Sequence, residues 1–185
     1  MIQAQNFLSN YPDFRSHCDN IDYSGITSPV DGVLYEGVST HIPESVQIEV
    51  KANLDALIGR PVKINHLFMR LSKEGVNAPH EAHTDATMGT YSMMLYLNRQ
   101  DDCKGGTALL RHKSGLDSNP KTQEDYELWE EEQKITDKWE VTEMAFMEEN
   151  KACVFDAYRM HRSEPTGGFG NNNKNGRLVM VAFFD

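Results

Sequence analysis

The stretch His83-Thr84-Asp85, with Thr90-Tyr91-Ser92-Met93-Met94-Leu95-Tyr96-Leu97-Asn98 close behind it, decides how this chain is read. On a strand, residues i and i+2 project from the same face, so His83 and Asp85 reach one ion together. Two imidazoles and one carboxylate on one face of an octahedron make a facial triad and leave three positions open on the metal. A later strand has to supply the second imidazole, and His161 is the candidate. Alone, the pair is weak evidence: with seven histidines and 28 acidic residues, about one His-x-Asp/Glu arises by chance. His17-Cys18-Asp19 has the same spacing but lies in a helix-like region, where i and i+2 do not share a face, and is rejected. His66, His80 and His112 read as surface or satisfied core residues.

Working outward, Tyr91 to Asn98 is one of six short apolar stretches that read as strands. The others are Val62 to Leu71, Thr107 to Arg111, Val141 to Met147, Ala152 to Phe155 and Leu178 to Phe184. Six such segments point to a sandwich or barrel. In the last, Arg177, Val179, Val181 and Phe183 share one face, and Leu178, Met180, Ala182 and Phe184 the other, so a strand covered on both sides is expected. Between Pro43 and Gly59, Val46, Val50, Leu54, Leu57 and Ile58 recur at helical spacing. A second, short helix is expected between Ile2 and His17, and the Gly- and Asn-rich run Gly167 to Gly176 reads as a flexible loop.

Composition bounds the answer further. The 185 residues, 39% hydrophobic and 25% charged, are expected to fold as one domain, 1–185. No apolar run of about 18 residues offers a membrane span, and Met1-Ile2-Gln3-Ala4-Gln5-Asn6 lacks a signal-peptide layout, so a cytoplasmic location with no membrane partner is expected. Cys18, Cys103 and Cys153 stand far apart and suit a reducing compartment without disulfides or structural zinc. Of the net charge of −10, the segment Thr122 to Glu149 supplies −9, from eleven acidic residues against Lys134 and Lys138. Nucleic acid is therefore not favoured as a partner, although the rest of the surface is close to neutral and leaves room for a local basic groove.

Beyond the strand at Tyr91 come the turn-like Cys103-Lys104-Gly105-Gly106, then Lys151-Ala152-Cys153-Val154-Phe155-Asp156, then His161-Arg162-Ser163-Glu164-Pro165, and finally Arg177 opening the last strand. In this order the chain resembles the prolyl-hydroxylase-like branch of the Fe(II)/2-oxoglutarate-dependent dioxygenases, over roughly Val62 to Asp185. The resemblance implies a mainly β fold with flanking helices, a double-stranded β-helix or distorted jelly roll with N-terminal helices packed on one sheet. Residues 1–60 then form helical support and 62–185 the core, with an acidic insertion at about 113–140. It also implies His83, Asp85 and His161 as catalytic ligands of Fe(II). 2-Oxoglutarate and O2 would be co-substrates, ascorbate a candidate reductant, and the reaction hydroxylation with release of succinate and CO2. Arg177 is the implied partner of the distal carboxylate of 2-oxoglutarate, which its planar fork suits. Tyr96 is implied as a hydrogen-bond donor to that carboxylate, with Ser92 and Met94 lining the same face. The sixteen residues from His161 to Arg177 exceed the usual interval, so Arg70, which shares a strand face with His66 and Phe68, is kept as the alternative carboxylate partner.

Three readings remain at this point. The first is hydroxylation of an amino acid, a peptide or a protein side chain. A second is the same chemistry on a nucleobase, which requires a basic or aromatic-lined groove. The third is a non-catalytic jelly roll, against which the full set His83, Asp85, His161 and Arg177 counts. The insertion, roughly Pro120 to Lys138, is expected to be a lid or docking surface peripheral to the metal, with Trp129 and Trp139 among carboxylates able to hold a cationic substrate. The oligomeric state is not legible.

Overall fold

A computed structural model describes residues 1–27, 32, 34–76 and 81–185, so His80 lies outside the described residues. All six expected strands form. They are β5 (Ile64–Ser72), β6 (Tyr91–Tyr96), β7 (Gly106–His112), β8 (Trp139–Phe146), β9 (Ala152–Asp156) and β11 (Arg177–Phe184), joined by β10 (His161–Glu164). The N-terminal region adds β1 (Ile2–Ala4), α1 (Tyr11–Cys18), β2 (Ile26–Thr27), β3 (Leu34–Tyr35), β4 (Val38–Ser39) and α2 (Glu44–Ile58), and the acidic segment carries α3 (Gln123–Glu132).

Two antiparallel sheets face one another. The larger has the order β1-β9-β6-β11-β5-β4 and the smaller β10-β7-β8, extended at its β10 edge by an isolated bridge from His83 to His161. This is the double-stranded β-helix, and the central strand β11 explains it. Every residue of β11 is buried. Leu178, Met180, Ala182 and Phe184 pack outward against Phe14, Val50 and Leu54 of the helices, while Val179, Val181 and Phe183 pack inward with Leu109, Ala145 and Phe155. Burying such side chains contributes roughly 1.5–3 kcal/mol each. The helices α1 and α2 thus cover one face of the larger sheet, as expected. The left-handed Gly59 (φ 79°) ends α2, its N–H returning to Asp55 O.

Two expectations are corrected. The region Ile2 to His17 is not one helix: Pro12 stands in the first turn of α1, and the residues before it pair as β1 with β9, Ile2 opposite Val154. The N-terminal support is therefore part sheet, since β4 also joins the edge of β5. The loop Gly167 to Gly176 is tied down, because the buried Arg15 donates to Asn173 O (2.8 Å) and Lys174 O (3.1 Å), and Asn98 Nδ2 donates to Gly176 O (2.9 Å). Composition could not show carbonyls held from 158 residues away.

Candidate metal and oxo-acid site

The structure brings His83, Asp85 and His161 together, with one ligand atom from each lying within 4.8 Å of the others. The segment carrying the first two is less regular than a strand. His83 exchanges backbone hydrogen bonds with His161 (3.0 and 2.9 Å), and Asp85 N donates to Ala157 O (2.9 Å). Extended backbone at these positions still turns both side chains to the inside of the barrel. There Asp85 Oδ2 lies 3.1 Å from His161 Nε2 and Oδ1 lies 3.8 Å from His83 Nε2.

Both imidazoles are oriented by the same local device. Nδ1 of His83 meets Glu81 O, and Nδ1 of His161 meets Arg159 O, each at 2.9 Å. A carbonyl oxygen only accepts, so each Nδ1 carries the proton and each Nε2 presents its lone pair to the common centre. The buried Nε2 of His161 has no hydrogen-bond partner, despite the nearby carboxylate. Ser92 Oγ donates to Asp85 Oδ2 (3.1 Å), which fixes the carboxylate plane. Two aimed imidazole nitrogens and an anchored carboxylate form a donor set that fits a divalent transition metal, with outer partners of the kind that tune such ligands.

The charges of His83 and Asp85 agree with this arrangement, while His161 without a metal is drawn toward its charged form by the same carboxylate. Burial, followed by the neighbouring His161, pushes His83 down to about 4, so it is neutral at physiological pH. Burial works against ionisation of Asp85, but His161 and His83 override it and hold the carboxyl at about 2. Burial also opposes protonation of His161, and there Asp85 prevails and raises it.

Deeper in the barrel, Arg177 is buried and, among the described residues, donates only to Gly106 O (3.2 Å), leaving its Nε without a partner. Gly106 (φ 153°) is required there, because a Cβ would run into Ala145 O. Burial is the main force lowering the Arg177 pKa. A buried guanidinium without a carboxylate fits a distal anion such as that of an oxo acid.

Tyr96, Met94 and Ser92 share the inward face of β6, opposite Val179, Val181 and Phe183. Their surroundings refine the expected roles. The Tyr96 hydroxyl lies 2.9 Å from Ala145 O and 3.0 Å from Thr107 Oγ1, so its proton is already committed and it meets an incoming carboxylate only by rotating. Burial raises its phenol well above the usual value. Ser92 serves Asp85 directly, and Met94 packs in the inner cluster. Thr107 was missed by the sequence reading, which had no signal for a hydroxyl opposite Tyr96. The bland readings of three other histidine positions agree with the structure. His66 is exposed, His112 is held by Ser114 Oγ (2.9 Å) and Glu132 Oε2 (2.7 Å), and His17 lies on helix α1 away from any metal cluster.

The acidic segment differs most from expectation. Trp139 is buried at the start of β8 and donates to Glu132 O (2.9 Å), while Trp129 donates to Ala82 O (2.7 Å). Both indoles are structural, and with Leu110 and Met160 they cover the outer face of the smaller sheet. The expectation that Trp139 meets a cationic substrate is corrected by its burial, whereas Trp129 is half-buried with its N–H committed to Ala82 O. The segment also reaches the residue before His83, through Trp129 and Gln133 of the α3 end.

No protein-family model matches the sequence, and no curated protein matches it. Among solved structures, the chain is similar to EctD from S. alaskensis with bound Fe (14% identity, 100% of this chain and 72% of that one, TM-score 0.55). It is also similar to the non-heme alpha ketoglutarate dependent epimerase SnoN from nogalamycin biosynthesis (11% identity, 100% and 76%, TM-score 0.57). A third is HygX from Streptomyces hygroscopicus with iron bound (11% identity, 99% and 81%, TM-score 0.56). EctD has also been solved with 2-oxoglutarate and 5-hydroxyectoine. At these identities the likeness establishes the shared fold.

Proposed function

We propose that this protein is an Fe(II)- and 2-oxoglutarate-dependent oxygenase that hydroxylates a small amino-acid-like or peptide substrate. The observation that carries the reading is the pairing of an inward-aimed His83–Asp85–His161 cluster with a buried Arg177 that, among the described residues, meets no carboxylate in the same barrel. Its neighbours of the same fold include an iron-bound protein and an alpha ketoglutarate dependent epimerase, which supports the class. Their small ligands, 5-hydroxyectoine among them, favour a small molecule over a nucleobase in a duplex.

His83, Asp85 and His161 would hold Fe(II), and Arg177 the distal carboxylate of 2-oxoglutarate. When bound, the metal and oxo acid supply oxygen activation coupled to formation of succinate and CO2. The chain's own part is geometric. Glu81 O and Arg159 O accept from the two Nδ1 atoms and so aim both Nε2 atoms at the centre, Ser92 steadies the carboxylate, and the apolar inner cluster backs the site. Substrate-stimulated succinate formation, screened over amino acids, peptides and oligonucleotides, tests the reading. Stimulation by oligonucleotides alone would replace the proposed substrate class, and absence of any 2-oxoglutarate consumption with Fe(II) present would remove the activity.

A further inference from the structure

Arg177 is not the only guanidinium facing the barrel interior. Across the inner face of the larger sheet, Arg70 on β5 stands opposite Val179, whose other neighbour is Tyr96. Register places it one inward row nearer than Arg177 to the Phe183–Ser92 pair, where Ser92 bonds Asp85, and its charge acts on Asp85, His83 and Tyr35, whereas that of Arg177 acts on Tyr96 and Cys153. The two guanidiniums also act on one another. Among the described residues, the arginine–carboxylate pairs are Arg15–Asp19, Arg99–Asp19, Arg111–Asp117 and Arg162–Glu164, and Arg70 enters none of them. Asp85 is not its bonded partner, because those carboxylate oxygens face Ser92, His161 and His83.

An arginine stays charged at any physiological pH, and holding one in a half-enclosed interior without a counter-charge is unfavourable. One oxo acid has one distal carboxylate, and Arg177 is the deeper partner for it. With a divalent metal and a doubly negative oxo acid in place, Arg70, Arg177 and Asp85 leave one positive charge uncompensated. A monoanion balances that charge, whereas a phosphate, close to doubly charged at neutral pH, would overshoot it.

We propose that Arg70 binds a carboxylate of the substrate beside the metal centre, so that the enzyme acts on a carboxylic acid. This rests on the oxygenase reading above and names the substrate class of that site. It also separates the two arginines, Arg177 for the oxo acid and Arg70 for the substrate.

The test is calorimetric and needs no turnover. Anaerobic Fe(II) protein saturated with N-oxalylglycine, an unreactive 2-oxoglutarate mimic, is titrated with a panel of amino acids, N-acetyl amino acids and their matched primary amides. At least one acid should bind about tenfold or more tightly than its amide. Arg70→Gln should erase that preference, Arg70→Lys should keep part of it, and N-oxalylglycine affinity should stay near wild type in both. Absence of any acid preferred over its amide in the wild type, or a preference unchanged in Arg70→Gln, overturns the proposal. A loss of N-oxalylglycine affinity in Arg70→Gln also overturns it and gives that residue to the oxo acid. If Arg70→Gln does not fold, the wild-type comparison and Arg70→Lys decide. Failure of wild type to bind Fe(II) or N-oxalylglycine is a different result, which sinks the oxygenase reading itself.

Discussion

The indole N–H of Trp129 donates to the carbonyl oxygen of Ala82 at 2.7 Å, joining residues 47 positions apart and fixing the backbone one residue before His83. Ala82 N returns a bond to Gln133 O (3.2 Å), so α3 acts as the outer partner of the irregular segment that carries two of the three ligands. Its own start is set by a capping box between Thr122 and Asp125. Trp129→Phe keeps one aromatic ring and removes the pyrrole part of the indole with its donor. It should cost about 1 kcal/mol of stability and weaken Fe(II) binding by about tenfold, as loss of an outer-shell partner does. Metal titration alongside thermal melts checks this, and unchanged iron affinity in a folded variant would separate α3 from the metal site.

Arg177 gives a prediction with two opposite signs. Arg177→Met should raise the apparent Michaelis constant for 2-oxoglutarate by about 30-fold or more, since a bound carboxylate loses its charged partner at about 2–5 kcal/mol. The same change removes a buried, incompletely bonded guanidinium and should stabilise the metal-free protein by about 1–2 kcal/mol. Denaturant melts and steady-state kinetics measure the two effects separately. A variant that is less stable and also binds 2-oxoglutarate normally would assign Arg177 a structural role.

Tyr96→Phe tests how far the phenol is committed to the protein. Its hydroxyl bonds Ala145 O and Thr107 Oγ1, both buried, so the variant should lose about 1–2 kcal/mol of stability. Its effect on the 2-oxoglutarate constant should be the smaller one, within about threefold. A large kinetic effect with unchanged stability would show that the hydroxyl turns to the carboxylate on binding.

Acid stability should depend on Asp19, which bonds Arg15 (2.8 Å) and Arg99 (2.7 Å). Burial opposes its ionisation, but both guanidiniums override it and lower its folded-state pKa. A depressed folded value means that the stabilisation is fully present above the unfolded value, about 3.9, and is lost as pH falls from there through the folded value. Asp19→Asn should therefore destabilise at pH 7 by about 2 kcal/mol and flatten the stability profile below about pH 4. A variant whose acid limb matched wild type would mean that other carboxylates set it.

Much of this architecture was legible because hydrophobic periodicity is local. The two apolar faces of Leu178 to Phe184 announced a doubly covered strand, and spacing with chain order announced His83, Asp85 and His161. What escaped depends on distant partners. The three residues of β1, Ile2-Gln3-Ala4, are too few to establish a period and become a strand only against β9. Trp129 in an acidic run looked like an exposed aromatic, because nothing near it in sequence shows that its donor reaches Ala82. The loop before Arg177 looked loose because Arg15, which anchors it, lies far away in the chain.

The most direct test of the account is Fe(II) binding coupled to 2-oxoglutarate turnover. Wild-type protein should bind one Fe(II) and convert 2-oxoglutarate to succinate and CO2, with the activity removed by chelation and restored by Fe(II). Alanine at His83, Asp85 or His161 should abolish turnover in folded protein, and alanine at His17 should not. Undiminished iron binding and turnover in all three site variants, or wild type that binds iron without consuming 2-oxoglutarate under any substrate tried, would contradict it.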